Sequence, residues 1–135
     1  MEYQQIIYQP GKVARLILNR PRYHNAQSRV MREEMDDAFV RATEDEGVGV
    51  IVLSGNGKHF SSGHDLGTPP EMEDRKERGY PTTKYDRYGY VRAINMENTL
   101  RWRNVPKPTI AMVHGYCIFG GWMFAAAMDL VFASE

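Results

Sequence analysis

The sequence has 135 residues, which fits one domain over 1–135. A chain near this size can bury roughly 70% of its unfolded surface and needs no disulfide staples. Lys plus Arg and Asp plus Glu number 17 each, so the formal net charge is zero; this excludes a nucleic-acid binder that works through a basic field, but not a local cationic patch for one small anion.

In chain order, residues 3–9 and 12–19 are expected as two strands joined by a tight turn at Pro10-Gly11. Residues 20–26 form a polar connection. Ser28 is placed to cap a helix whose inner face carries Met31, Met35, Ala38, Phe39 and Ala42, ending near Glu46-Gly47. Residues 48–53 are almost continuously apolar, as in a strand covered on both faces of a parallel sheet. SGNGKHF reads as a turn and a short second strand, and SSGHDLG as a small-residue loop. Residues 67–83, rich in proline and charge, are expected to be a mobile surface segment or lid. Residues 84–104 read as one long aromatic-rich helix, which Pro106 and Pro108 prevent from continuing. TIAMVHG is a strand, GGWMFAAAM a buried helix and DLVFAS another strand. Strands alternating with helices in this way define an α/β fold.

The single cysteine, Cys117, lies in an apolar run and reads as a small buried hydrophobe. No apolar run reaches the ~18 residues of a membrane span, and the N-terminus lacks a signal-peptide pattern, so a cytoplasmic location with no membrane or nucleic-acid partner is expected.

Two glycine loops follow strands: SSGHD (61–65) and GYCIFGG (115–121). A dinucleotide fingerprint fails, because Phe60 stands where its third glycine belongs. A P-loop fails, because Gly121-Trp122 follows Gly120 in place of Lys-Ser/Thr. Small-residue turns let backbone approach a ligand, and two such turns face to face can offer two N–H donors to one oxygen. Tight strand–helix packing is the alternative use of the same glycines.

Three segments in order carry a resemblance. LNRPRYHNAQS (18–28), HFSSGHDL (59–66) and KPTIAMVHGYCIFGGWMFAAAMDLVFAS (107–134) resemble the crotonase superfamily, the enoyl-CoA hydratase/isomerase family. The resemblance implies a crotonase-like spiral of repeated ββα units, assembled as homotrimers or hexamers. It implies an acyl-coenzyme A thioester as substrate, with no bound cofactor and no metal. It implies that backbone N–H groups at His64 and Gly120 form an oxyanion hole for the thioester enolate. By the same matching, Arg22, His24 and Lys58 lie near the CoA nucleotide, and Ala26, Ser62, Gly63, Asp65 and Gly121 lie along the substrate path. Arg22, His24 and Lys58 are read equally well as ordinary surface charge, and Asp65 as a residue that orders its own loop.

The departures from the family pattern are informative. Met123 stands where hydratases carry a glutamate, so simple hydration of an enoyl-CoA is expected to be weak, and isomerisation, decarboxylation or hydrolysis of a substituted acyl-CoA fits better. Phe119 stands in the glycine triplet and narrows the site. Some decarboxylating relatives carry histidine at the position of His64, so the resemblance implies that His64 binds a carboxylate or shuttles a proton; a loop histidine contributing only its backbone N–H is the alternative. The second family acid falls beyond position 135, so the chain is expected to match the N-terminal portion of the fold. Tyr85, Tyr88, Tyr90 and Trp102 are expected to pack the helix, with the 80–90 stretch also shaping the acyl pocket. A non-catalytic acyl-CoA binder or assembly protein is the rival from another class; a Rossmann-type nucleotide domain survives only at the level of fold.

Overall fold

Strands β1 (Ile6–Gln9) and β2 (Val13–Leu18) pair antiparallel across the Pro10-Gly11 turn in the computed structural model, which describes residues 2–135. On β2 the alternation is strict: Ala14, Leu16 and Leu18 are fully buried, and Val13 and Arg15 face outward. Helix α1 (Arg29–Glu44) follows. Its first free N–H groups are met by Ser28, whose Oγ accepts from the Met31 N–H at 3.1 Å. Met31, Met35, Ala38, Phe39 and Ala42 lie on its buried face, as their spacing requires.

Strand β3 (Val50–Gly55) runs parallel to β2, and Ile51, Val52 and Leu53 are buried in succession. Strands β4 (Thr109–Val113) and β5 (Leu130–Ala133) extend the sheet in parallel, giving the order β1-β2-β3-β4-β5. The expected α/β class and parallel sheet are therefore present.

Between β3 and β4 the structure departs from expectation. Part of the 67–83 segment is helix α2 (Pro69–Arg78), not a loose lid. Its two prolines occupy the first helical positions, where a missing N–H costs nothing. Glu71 fastens it, accepting from the Arg29 N–H at 3.0 Å and from Arg75 Nε at 2.7 Å. The 84–104 stretch is helical but not uniform: α3 (Lys84–Val91) passes through π-helical turns at Arg92–Glu97 into α4 (Asn98–Arg103). Tyr85 and Tyr88 are exposed, whereas Trp102 is core, stacked on Phe39 and edge-on to Phe124. That cluster joins α1 and α4 to α5 (Gly120–Ala126). On α5, Phe124 and Ala125 are buried while Trp122 is 55% exposed, so this helix is one-sided and not wholly buried.

The expected second strand in SGNGKHF (54–60) does not form; two isolated bridges lie nearby instead. Ser61 pairs with Cys117 and Gln27 with His64, both in parallel. These two bridges form a minor layer that brings the segments around 27, 61–64 and 117 side by side.

Candidate active site

In the minor layer the Gln27 N–H donates to the Gly63 carbonyl at 2.8 Å, and the Asp65 N–H donates to the Gln27 carbonyl at 3.0 Å. Alternation along an extended chain therefore points the His64 N–H away from Gln27. Ser61 is tied to the other glycine turn: its N–H donates to the Tyr116 carbonyl, and its carbonyl accepts from the Ile118 N–H. The two turns touch at Gly63, which has φ +99°; a Cβ there would sit 2.8 Å from the Ile118 carbonyl oxygen and 3.5 Å from the Gly120 nitrogen. Only glycine permits both the φ and the approach. Among the described residues, neither the His64 N–H nor the Gly120 N–H donates to a protein acceptor. The closure of the turns thus leaves two unpaired backbone donors at one corner.

Phe119 precedes Gly120 with φ +45° and ψ −101°, an unusual conformation for a residue with a side chain, and its ring is 74% exposed. The ring meets the His64 imidazole edge-on at 5.5 Å between centroids. On the other side of His64 lies Arg32 of α1. Its Nη2 donates to His64 Nδ1 and stands 3.5 Å from Gln27 Oε1. Because a guanidinium only donates, Nδ1 is the acceptor and the imidazole proton sits on Nε2. Burial, reinforced by the Arg32 charge, brings the His64 pKa down to about 4, so the ring is neutral at pH 7. Burial also lowers Arg32, to about 10, which leaves it charged. Beside them is a cavity of about 210 Å³, lined in part by Gln27, Arg32, His64, Tyr80, Tyr90 and Asn95. Roomier hollows lie on the outer side of α1, away from both glycine turns.

Asp65 holds the loop. Its carboxylate pairs with Arg20 Nη1 at 2.8 Å and accepts from the Gly67 N–H, the Thr68 N–H and the Thr68 hydroxyl. Burial alone would raise its pKa, but the bonds from Thr68, Arg20 and Gly67 outweigh burial and hold it below the usual range. Asn25 is the second brace. Its Oδ1 accepts from the Arg20 N–H, and its Nδ2 donates to the carbonyls of Asn56 and His59. This joins the polar connection at 20–26 to the turn at 56–61.

Along that junction lie Arg22, His24 and Lys58, all exposed. The His24 carbonyl accepts from the Ser62 N–H, and the His24 ring lies 5.0 Å from that of His59. Burial first, then the nearby His24, His114 and Lys58, lower the His59 pKa. Ala26 is buried, and its carbonyl accepts from Arg20 Nη1. Gly121 is a packing position, since a Cβ there would meet the Ser61 carbonyl oxygen at 2.7 Å. Met123 is half-buried on α5. Cys117 is half-buried too, and burial raises its thiol pKa, so it is no nucleophile. Among the described residues no group of three or more His, Cys, Asp or Glu is placed to hold a metal.

The structure therefore brings His64, Gly63 and Gly120 to one corner, sets Arg22, His24, Lys58 and Ser62 along one edge, and turns Asp65 into its own loop. Arg20, Asn25 and Arg32 escaped the sequence reading. For Arg32 the available signal was its position one residue after Met31, at the border of the apolar face of α1.

A sheet fed by parallel crossovers, with a minor layer that leaves two backbone donors unpaired, is the crotonase fold. A probable enoyl-CoA hydratase from Mycobacterium smegmatis superposes with a TM-score of 0.83 at 41% identity, over 96% of this chain and 48% of that one. An enoyl-CoA hydratase/isomerase from Xanthobacter autotrophicus Py2 gives 0.84 at 33% identity, over 98% and 46%. EchA13 of Mycobacterium tuberculosis, whose name assigns it to the enoyl-CoA hydratases, is 38% identical over 99% of this chain and 46% of its own length. The chain belongs to the enoyl-CoA hydratase/isomerase family, whose model matches residues 9–135. It spans about half the length of the relatives it matches.

Proposed function

We propose that the protein binds an acyl-CoA thioester and stabilises its enolate between the N–H groups of His64 and Gly120, as the N-terminal portion (1–135) of a crotonase-like domain. The observation that carries this reading is the pair of unpaired donors where the two glycine turns touch. Each donor, already in place where charge develops, contributes about 3 kcal/mol to such a transition state. The CoA phosphates would lie along the cationic rim of Arg22, His24 and Lys58, with Ala26, Ser62, Gly63, Asp65 and Gly121 shaping the path to it. No metal or bound cofactor enters the reaction, and copies of the chain assemble as trimers or hexamers.

Among the described residues, the two carboxylates that line the adjoining cavity, Asp65 and Glu71, are already bonded to Arg20 and Arg75. Met123 cannot carry a proton, and His64 is a neutral Nε2–H donor at pH 7. Simple hydration is therefore weak, and isomerisation, decarboxylation or hydrolysis of a substituted acyl-CoA is favoured. The rival reading, a non-catalytic acyl-CoA binder, rests on the same missing acid.

Acetoacetyl-CoA tests the enolate site without needing a catalytic base, because its enolate absorbs in the near ultraviolet. Bound to the protein at neutral pH, its enolate band should grow relative to the free thioester. Binding with an unchanged spectrum would remove the oxyanion hole and leave the binder; no binding would remove both.

A further inference from the structure

Arg32 is 5% exposed and has no carboxylate. Among the described residues it forms no ion pair, its Nη1 donates to nothing, and its buried Nε has no partner. The two acids whose charges reach it also line the cavity, but their carboxylates are bonded to other partners: Asp65 to Arg20, and Glu71 to Arg75 and the Arg29 N–H. The bonds of Arg32 go only to the neutral groups His64 Nδ1 and Gln27 Oε1, and a buried guanidinium without a counter-charge invites an anionic partner. One further donor from a residue lining the same cavity is buried without a partner, Gln27 Nε2; the unpartnered Asn95 Oδ1 is an acceptor, which a carboxylate would leave unmet. An acyl chain made only of hydrocarbon would shut Arg32 further from water and satisfy none of these groups.

We propose that the acyl group taken by this site carries a second, free carboxylate, and that Arg32 is the residue that selects it. A carboxylate can take the fork of the guanidinium and the Gln27 amide together, which an alkyl chain cannot. Its seat is close to the thioester, because Arg32 bonds directly to the side chain of the residue that offers the His64 N–H. The cavity, about 210 Å³, is also small beside the roughly 300–1,000 Å³ of sites for drug-sized ligands. The ligand class is thus a CoA monothioester of a short dicarboxylic acid. This inference rests on the acyl-CoA reading above and adds the chemistry of the acyl end to it.

The test is a calorimetric comparison of succinyl-CoA with butyryl-CoA, which match in chain length, and with CoA itself. The protein should bind succinyl-CoA about tenfold or more tighter than butyryl-CoA. Arg32→Met should collapse that ratio toward one, and Arg32→Lys should keep part of it. The ratio isolates the carboxylate, so a general loss from disturbing His64 does not mimic the result. Equal binding of the two thioesters by the unaltered protein would overturn the inference while the acyl-CoA reading stood. A preference that survives Arg32→Met would overturn the role of Arg32. Failure of all three ligands to bind would overturn the acyl-CoA reading itself, and this inference with it.

Discussion

At the scale of single residues, His64 shows how burial, reinforced by one contact, fixes a chemical state. Its ordinary pKa of 6.5 would put its titration in the physiological range, yet burial and Arg32 hold it at about 4. The folded state therefore resists a proton that the unfolded chain accepts. Above pH 6.5 both states are neutral and the group leaves stability unchanged; as pH falls toward 4 the unfolded chain gains protons first, so stability is lost across that window. Thermal unfolding measured from pH 7 to 4 should show this loss, and His64→Gln should flatten it. Met123 gives a second prediction. Positioned acid–base groups contribute about 10²–10⁴-fold to proton transfer, so Met123→Glu should raise the rate of crotonyl-CoA hydration by about tenfold or more, followed as loss of the enoyl absorbance. Gly63 gives a third. Alanine at its φ of +99°, pressed against the Ile118 carbonyl, should cost about 1–3 kcal/mol in a denaturant titration.

At the scale of elements, local rules were legible wherever one stretch of sequence fixed the outcome. Ser28 caps α1 as its position demands, and Ser28→Ala should lower stability by about 0.5–2 kcal/mol. The alternation of β2 and the continuous apolar run of β3 gave their burial directly. The 67–83 segment was misjudged because its composition is that of a loop. What makes part of it helix α2 is distant: Glu71 meets the first turn of α1, and Arg78 reaches Glu33. Such ties between residues about forty positions apart leave no local periodicity. The π-helical turns at 92–97 were equally hidden; they present Ile94 and Asn95 to the cavity, a use in keeping with π-turns at functional sites.

At the scale of the whole molecule, the far edge of the sheet is apolar and uncovered. Leu130, Val131 and Phe132 of β5 are all exposed, as are Trp122 and Phe119 nearby on α5 and its cap. The chain spans about half the length of its relatives, and this exposure is that of residues 2–135 alone. If the trimers or hexamers proposed above form through this face, sedimentation should find assemblies larger than one chain, and Phe132→Asp should shift them toward the single chain. A mass unchanged by that substitution would place the contact elsewhere.

The sequence by itself determined the α/β class, the presence of a parallel sheet and the family, because strand periodicity, turn glycines and three ordered motifs are written in consecutive residues. The resemblance carried by the same motifs pointed to His64 and Gly120 as candidate backbone donors. Only the tertiary structure decided that Asp65 is spent on its own loop, that His64 is neutral, and that Arg32 lies buried without a counter-charge. Those properties depend on desolvation and on which charge pairs with which. Both are set by distances between side chains that the sequence keeps far apart.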